Sequence, residues 1–136
     1  MLRYLLDTNI CIYVIKQRPI SLLETFNLRA NHLGISSITL AELIHGAEKS
    51  SDPKRTLCVV DNFCSRLEVL SYGPKAAQHY GQIRSSLERK GTPICVNDLH
   101  IAAHARSEGL TLVSNNPREF ERVEGLLYEN WLQAQH

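Results

Sequence analysis

Apolar positions follow two periods along this chain, and their alternation predicts strands interleaved with helices. Leu2, Tyr4, Leu5 and Leu6 form a short apolar run that stops at Asp7, Thr8 and Asn9. A run of this length bounded by polar residues suits a buried strand. The polar triplet opens a helix over Ile10 to Lys16, with Thr8 or Asn9 as its N-cap. Beyond the Arg18-Pro19 break, Leu22, Leu23, Phe26 and Ala30 mark a helix from about Ser21 to Asn31. Leu33 to Ser36 reads as a strand, and Ser37 caps a helix over Ile38 to Lys49. Pro53 opens a helix carrying Leu57, Val60, Phe63, Cys64 and Leu67. Glu68 to Leu70 is a brief strand, and Pro74 starts a helix that runs to about Lys90. Asn97 or Asp98 caps the next helix, which Gly109 ends. Leu110 to Val113 and Leu126 to Tyr128 are the last strands, with Trp131 packing near the second. Strands alternating with helices and no two-residue hairpin turns indicate a parallel sheet with helices on both faces.

Bulk properties narrow this only slightly. The 136 residues suit one domain, 1–136, large enough for a core without staples. Hydrophobic residues make up 43% and charged ones 21%, the ordinary balance of a globular protein. A net charge of +1 gives no global attraction to nucleic acid, so any such binding rests on a local basic patch. Cys11, Cys58, Cys64 and Cys95 show no paired metal-site spacing and read as spectators in a reducing cytoplasm. No signal peptide and no membrane span are expected.

The candidate chemistry is acidic. Asp7 follows the first strand, Glu42 interrupts the apolar stripe of the helix after the second, and Asp98 opens the helix after Pro93. Asn115 and Asn116 follow the Leu110–Val113 strand. In a parallel sheet these positions converge where strands end and helices begin. Like charges held together raise a pKa or recruit a cation. Carboxylates completed by water suit Mg²⁺ or Mn²⁺, which polarise a phosphate and acidify a bound water. From spacing alone, three separate helix caps or surface acids explain the same residues equally well. That alternative makes the protein a non-catalytic α/β binding module.

Four segments in order resemble the PIN-domain nucleases, specifically the VapC ribonuclease toxins of VapBC toxin–antitoxin modules. They are Leu6-Asp7-Thr8-Asn9, Ser36 to Leu43, Asn97 to Ala105, and Val113 to Phe120. The resemblance implies a three-layer α/β/α sandwich with a central, mostly parallel sheet, and a Mg²⁺- or Mn²⁺-dependent endoribonuclease. It carries the metal-holding acids over to Asp7, Glu42 and Asp98. Asn116 stands where the family often has a fourth acid, with Glu119 as the nearest acid able to compensate. Thr8, Asn9, Ser114 and Asn115 are expected to orient these groups by hydrogen bonds. The resemblance also implies an RNA substrate, structured RNA such as tRNA, and a small VapB-like antitoxin as partner. A homodimer in the bacterial cytoplasm, reaching operator DNA only through the antitoxin, completes the expectation. Cys95 and Val96 replace a Gly-Pro pair common in relatives, and a Cβ at position 95 is expected to restrict the loop's φ.

Other polar residues add less. His100 and His104 are four apart on one helix, but Ile101 stands where zinc proteases have Glu. Arg84, Arg89, Lys90, Arg106 and Arg118 are candidate phosphate contacts, and Tyr72, Tyr80 and Trp131 candidate base-stacking residues.

Overall fold

In a computed structural model of the chain, which describes residues 1–132, five strands form one sheet in the order β3-β2-β1-β4-β5. The strands are β1 Tyr4–Leu6, β2 Leu33–Ser36, β3 Glu68–Leu70, β4 Thr111–Val113 and β5 Leu127–Glu129. Every pairing is parallel. The helices are α1 Thr8–Ile15, α2 Ile20–Leu28, α3 Ser37–Glu48, α4 Pro53–Cys64, α5 Pro74–Arg89, α6 Val96–Glu108 and α7 Pro117–Phe120. The fold is therefore the α/β/α sandwich expected, with a sheet that is parallel throughout.

Two cores explain why the strand sequences are apolar at consecutive positions. Tyr4, Leu6, Ile35 and Val113 face one layer, packing with Ile10, Val14, Phe26, Leu43 and Phe63 from α1 to α4. Leu5 and Leu112 point the other way, into Ile83, Leu87, Leu99, Ile101 and Ala102 of α5 and α6. A strand covered on both faces needs no polar alternation. Trp131 is buried edge-on against Tyr4, with ring centroids 5.2 Å apart, so it belongs to the core and leaves the set of base-stacking candidates.

Four helices begin earlier than expected, α2 at Ile20 among them. Asp7 takes the capping role open to it in the sequence, in place of Thr8 or Asn9, its Oδ1 accepting from Ile10 N–H at 2.9 Å. Ser36 rather than Ser37 caps α3, accepting from Ile38 N–H. The helix expected to begin at Asn97 or Asp98 begins at Val96, with Cys95 at the cap position. Cys95 has φ −58°, which any residue adopts, so its Cβ does not restrict the loop. Gly109, at φ 68°, ends α6 in the left-handed conformation that glycine tolerates best.

Connectivity sets the location of the site. The chain proceeds from β1 outward to β2 and β3, then returns to the other side of β1 for β4 and β5. The carboxyl ends of β1 and β4 thus flank the point where strand order reverses, the usual place for a ligand in an open parallel sheet.

Candidate active site

Asp7 continues β1 directly into this crevice. Its backbone N–H donates to Val113 O at 3.0 Å, tying it to the end of β4, and only 4% of the residue is exposed. Burial raises the pKa of its carboxyl. Ser114 and the N–H groups of Ile10 and Asn9 work against that rise by stabilising the ionised form, while the charge of Glu42 adds to it.

Glu42 reaches the crevice from the middle of α3. One carboxylate oxygen accepts from the Thr8 hydroxyl, which also lies 3.3 Å from Thr39 Oγ1. The other accepts from Asn97 Nδ2 at 2.7 Å. Asn97 therefore braces an acid supplied by a different helix, a role its sequence position as a candidate cap did not suggest. Only the fold brings α3 against α6, so no local signal was available.

Asp98 lies in the first turn of α6 and is half-buried. Its pKa is pushed up to about 8, first by burial, then by a hydrogen bond and repulsion from Glu119, then by Asp7 and Glu42. The field of each of these acids is felt at Asp98, which makes the group one electrostatic unit. Glu119 enters from α7, a four-residue helix too short to show a hydrophobic period in the sequence. Its carboxylate accepts from Asn116 Nδ2 at 3.1 Å and from Cys95 N–H at 3.4 Å. The fourth acid beside Asp98 is thus Glu119, while Asn116 turns its amide N–H toward it as a brace.

The remaining expected residues divide. Thr8 contacts Glu42 and Ser114 contacts Asp7, as orienting groups should. Ser114 Oγ also accepts from Asn116 N–H at 3.1 Å. Asn9 is exposed, and only its backbone N–H serves Asp7. Asn115 turns toward the Tyr13 hydroxyl at 3.5 Å and does not brace an acid. Among the described residues, no Lys or Arg pairs with any of the four acids; the ion pairs are Lys75–Glu108, Arg84–Glu88 and Lys90–Glu124.

Capping accounts for Asp7 but not for Glu42 in mid-helix or for Asp98 crowded against Glu119. Four carboxylates at a sheet edge without a basic counter-charge form a hard oxygen donor set. That chemistry suits a hard divalent cation, for which Asp7, Glu42, Asp98 and Glu119 are the candidate ligands.

The PIN domain family model matches residues 4–126. The chain belongs to the PIN-domain family. Within it the similarity is to VapC proteins. Ribonuclease VapC2 of Haemophilus influenzae is 58% identical over 132 residues, covering 97% of this chain and 100% of the relative. The tRNA(fMet)-specific endonuclease VapC of Shigella flexneri is 56% identical, covering 96% and 99%. Among solved structures, DNA-bound VapBC from Salmonella typhimurium superposes with a TM-score of 0.92 at 56% identity, covering 96% of this chain and 99% of that one. This PIN-domain chain is therefore similar to VapC proteins over almost its whole length.

Proposed function

We propose that this PIN-domain protein is a Mg²⁺- or Mn²⁺-dependent endoribonuclease and the toxin of a toxin–antitoxin pair. The observation that carries the reading is that Asp98, beside Glu119 at the strand-order reversal, feels the charges of Asp7 and Glu42 while, among the described residues, no Lys or Arg pairs with any of the four. A bound divalent ion there supplies Lewis-acid polarisation of a phosphodiester and acidification of water.

The chain's own residues prepare that chemistry. Asp7 and Asp98 provide carboxylates whose desolvation disfavours charge until a cation is present. Thr8 and Asn97 fix both oxygens of Glu42, and Asn116 fixes Glu119, so the donors are held before the ion arrives. Arg118, exposed in α7 next to Glu119 in sequence, is the candidate for contact with an RNA phosphate. Arg84 and Arg106 are committed elsewhere, to Tyr80 and Glu88 and to His79, Gln82 and Glu124 O respectively.

The Shigella relative's named specificity makes initiator tRNA the first substrate to test. The VapBC relatives support a small antitoxin as partner, with DNA bound through the complex. A homodimer in the bacterial cytoplasm completes the proposal. No helix among the described residues is long and apolar enough to cross a membrane. The deciding experiment is cleavage of initiator tRNA by the purified chain. EDTA should abolish cutting and Mg²⁺ or Mn²⁺ restore it, whereas undiminished cutting in chelator would refute the metal-dependent reading.

A further inference from the structure

A cavity of about 490 Å³ opens between α5, α6 and the loop before β5, and none of the four acids lines it. Small-molecule sites occupy roughly 300–1,000 Å³. Ile83, Leu87 and Val123, all buried, give the cavity apolar surface. His79, Gln82 and Ser86 stand three and four residues apart on α5, so one helix face brings polar groups to the same wall. Arg106 crosses from α6 to meet them. Its Nε donates to His79 Nδ1 at 2.9 Å, Nη2 to Gln82 Oε1 at 2.8 Å and Nη1 to Glu124 O at 2.9 Å. Gly125, at φ 80°, makes the turn beside that carbonyl. Arg122, also on the cavity wall, donates from Nη1 to Pro93 O at 3.2 Å. Every one of these acceptors is uncharged, so the two guanidiniums are held in place without being neutralised. Among the described residues neither forms an ion pair. Glu124, the acid of the wall, lies 3.9 Å from Lys90 Nζ, which keeps the local balance positive.

We propose that this cavity binds a nucleoside monophosphate, free or as the phosphorylated end of an RNA strand. Each Nη of Arg106 keeps a second N–H, and Arg122 has further donors, so both guanidiniums can meet the phosphate oxygens. His79 accepts at Nδ1 and therefore carries its proton on Nε2, which adds a donor, as does the Ser86 hydroxyl. The Glu124 carboxylate can accept from a ribose hydroxyl, and the apolar side chains give the base a surface to cover. Two fixed positive charges match a phosphate monoester, which carries about −1.5 to −2 at neutral pH, better than a carboxylate. The inference goes beyond the ribonuclease reading and does not depend on it.

The test is titration calorimetry of the full chain with AMP, CMP, GMP and UMP in turn. EDTA is present throughout, so no divalent ion at the acids contributes. At least one nucleotide should bind, with its nucleoside and inorganic phosphate each weaker by about tenfold or more. Arg106→Gln and Arg122→Gln should each weaken the nucleotide by about tenfold or more, the scale of one charged hydrogen bond. Arg122 is exposed, so Arg122→Gln keeps the test decisive even where loss of Arg106 loosens α5 from α6. Failure of all four nucleotides to bind, a nucleoside binding as tightly as its phosphate, or unchanged affinity in Arg122→Gln overturns the proposal. A 5′-phosphorylated tetraribonucleotide that displaces the bound nucleotide assigns the site to an RNA end, and one that does not assigns it to the free nucleotide.

Discussion

Two polar clusters meet along α6, Asp98 with Glu119 and Cys95 at its start, and His100 with His104 further on. In the histidine cluster His104 Nδ1 lies 2.8 Å from Ser36 Oγ, and His100 Nδ1 lies 2.8 Å from the Tyr72 hydroxyl. The His100 ring stacks on Tyr80 at 4.3 Å, and Arg84 donates to the Tyr80 hydroxyl. Burial lowers the pKa of both histidines, so they pack as neutral rings whose Nδ1 atoms have partners within the chain. The acidic cluster is also partly buried, but burial and the neighbouring carboxylates push the Asp98 pKa up to about 8. Equal burial thus has opposite meanings. A polar group that finds its complement inside the fold contributes to stability, and a crowd of like charges is incomplete without a ligand.

The comparison breaks first at Asp7. Asp7→Asn keeps an N-cap for α1, since Asn caps as well as Asp, and removes a charge from the metal set. RNA cleavage should fall by at least about 100-fold, the scale of losing one charge-stabilising group. Melting temperature and circular dichroism should stay near wild type. Unimpaired cleavage would place the chemistry elsewhere.

The histidine side should respond in the opposite sense. His104→Ala leaves Ser36 Oγ with only its Ile38 N–H contact, removes a buried ring, and should cost about 1–3 kcal/mol, read by urea unfolding. Cleavage per folded molecule should be unchanged; a large drop in turnover at full folding would join His104 to the active centre.

Asn97→Ala sharpens the contrast within the acidic side. Freed of its amide partner, Glu42 should bind Mn²⁺ about tenfold more weakly, the low end for an outer hydrogen-bonding group. Titration calorimetry checks this, and unaltered affinity would make Asn97 incidental.

The acidic side also carries a pH dependence. Asp98 sits at about 8 in the fold and returns to the ordinary carboxylate range near ~3.9 on unfolding. Between those values the folded, metal-free chain binds the extra proton, so this residue's contribution to stability falls as pH rises. Thermal melts should show wild type losing stability relative to Asp98→Asn from about pH 5 to 8. Mn²⁺ should reverse the trend, because it binds the ionised form. A flat difference across that range would contradict the assigned crowding.

What was legible beforehand follows the same division between local and distant causes. Leu33–Ser36 and Glu68–Leu70 were read with their true limits, and Pro53 and Pro74 fixed two helix starts, because a proline at the first helical position acts locally. At Asp7 and Ser36 the sequence leaves adjacent residues as rival caps. Both lie in runs of adjacent polar residues, where only the path of the chain leaving the strand decides which side chain turns back. Glu119 was named as a possible substitute for the acid missing at Asn116, but its position against Asp98 depends on the short α7 turn, too brief to leave a period.

If the four acids share a divalent cation, a crystal of the wild-type chain soaked with Mn²⁺ will show it. An anomalous peak is expected, contacted by carboxylate oxygens from Asp7, Asp98 and at least one of Glu42 and Glu119. Ordered crystals with those carboxylates in place and no peak between them would contradict it.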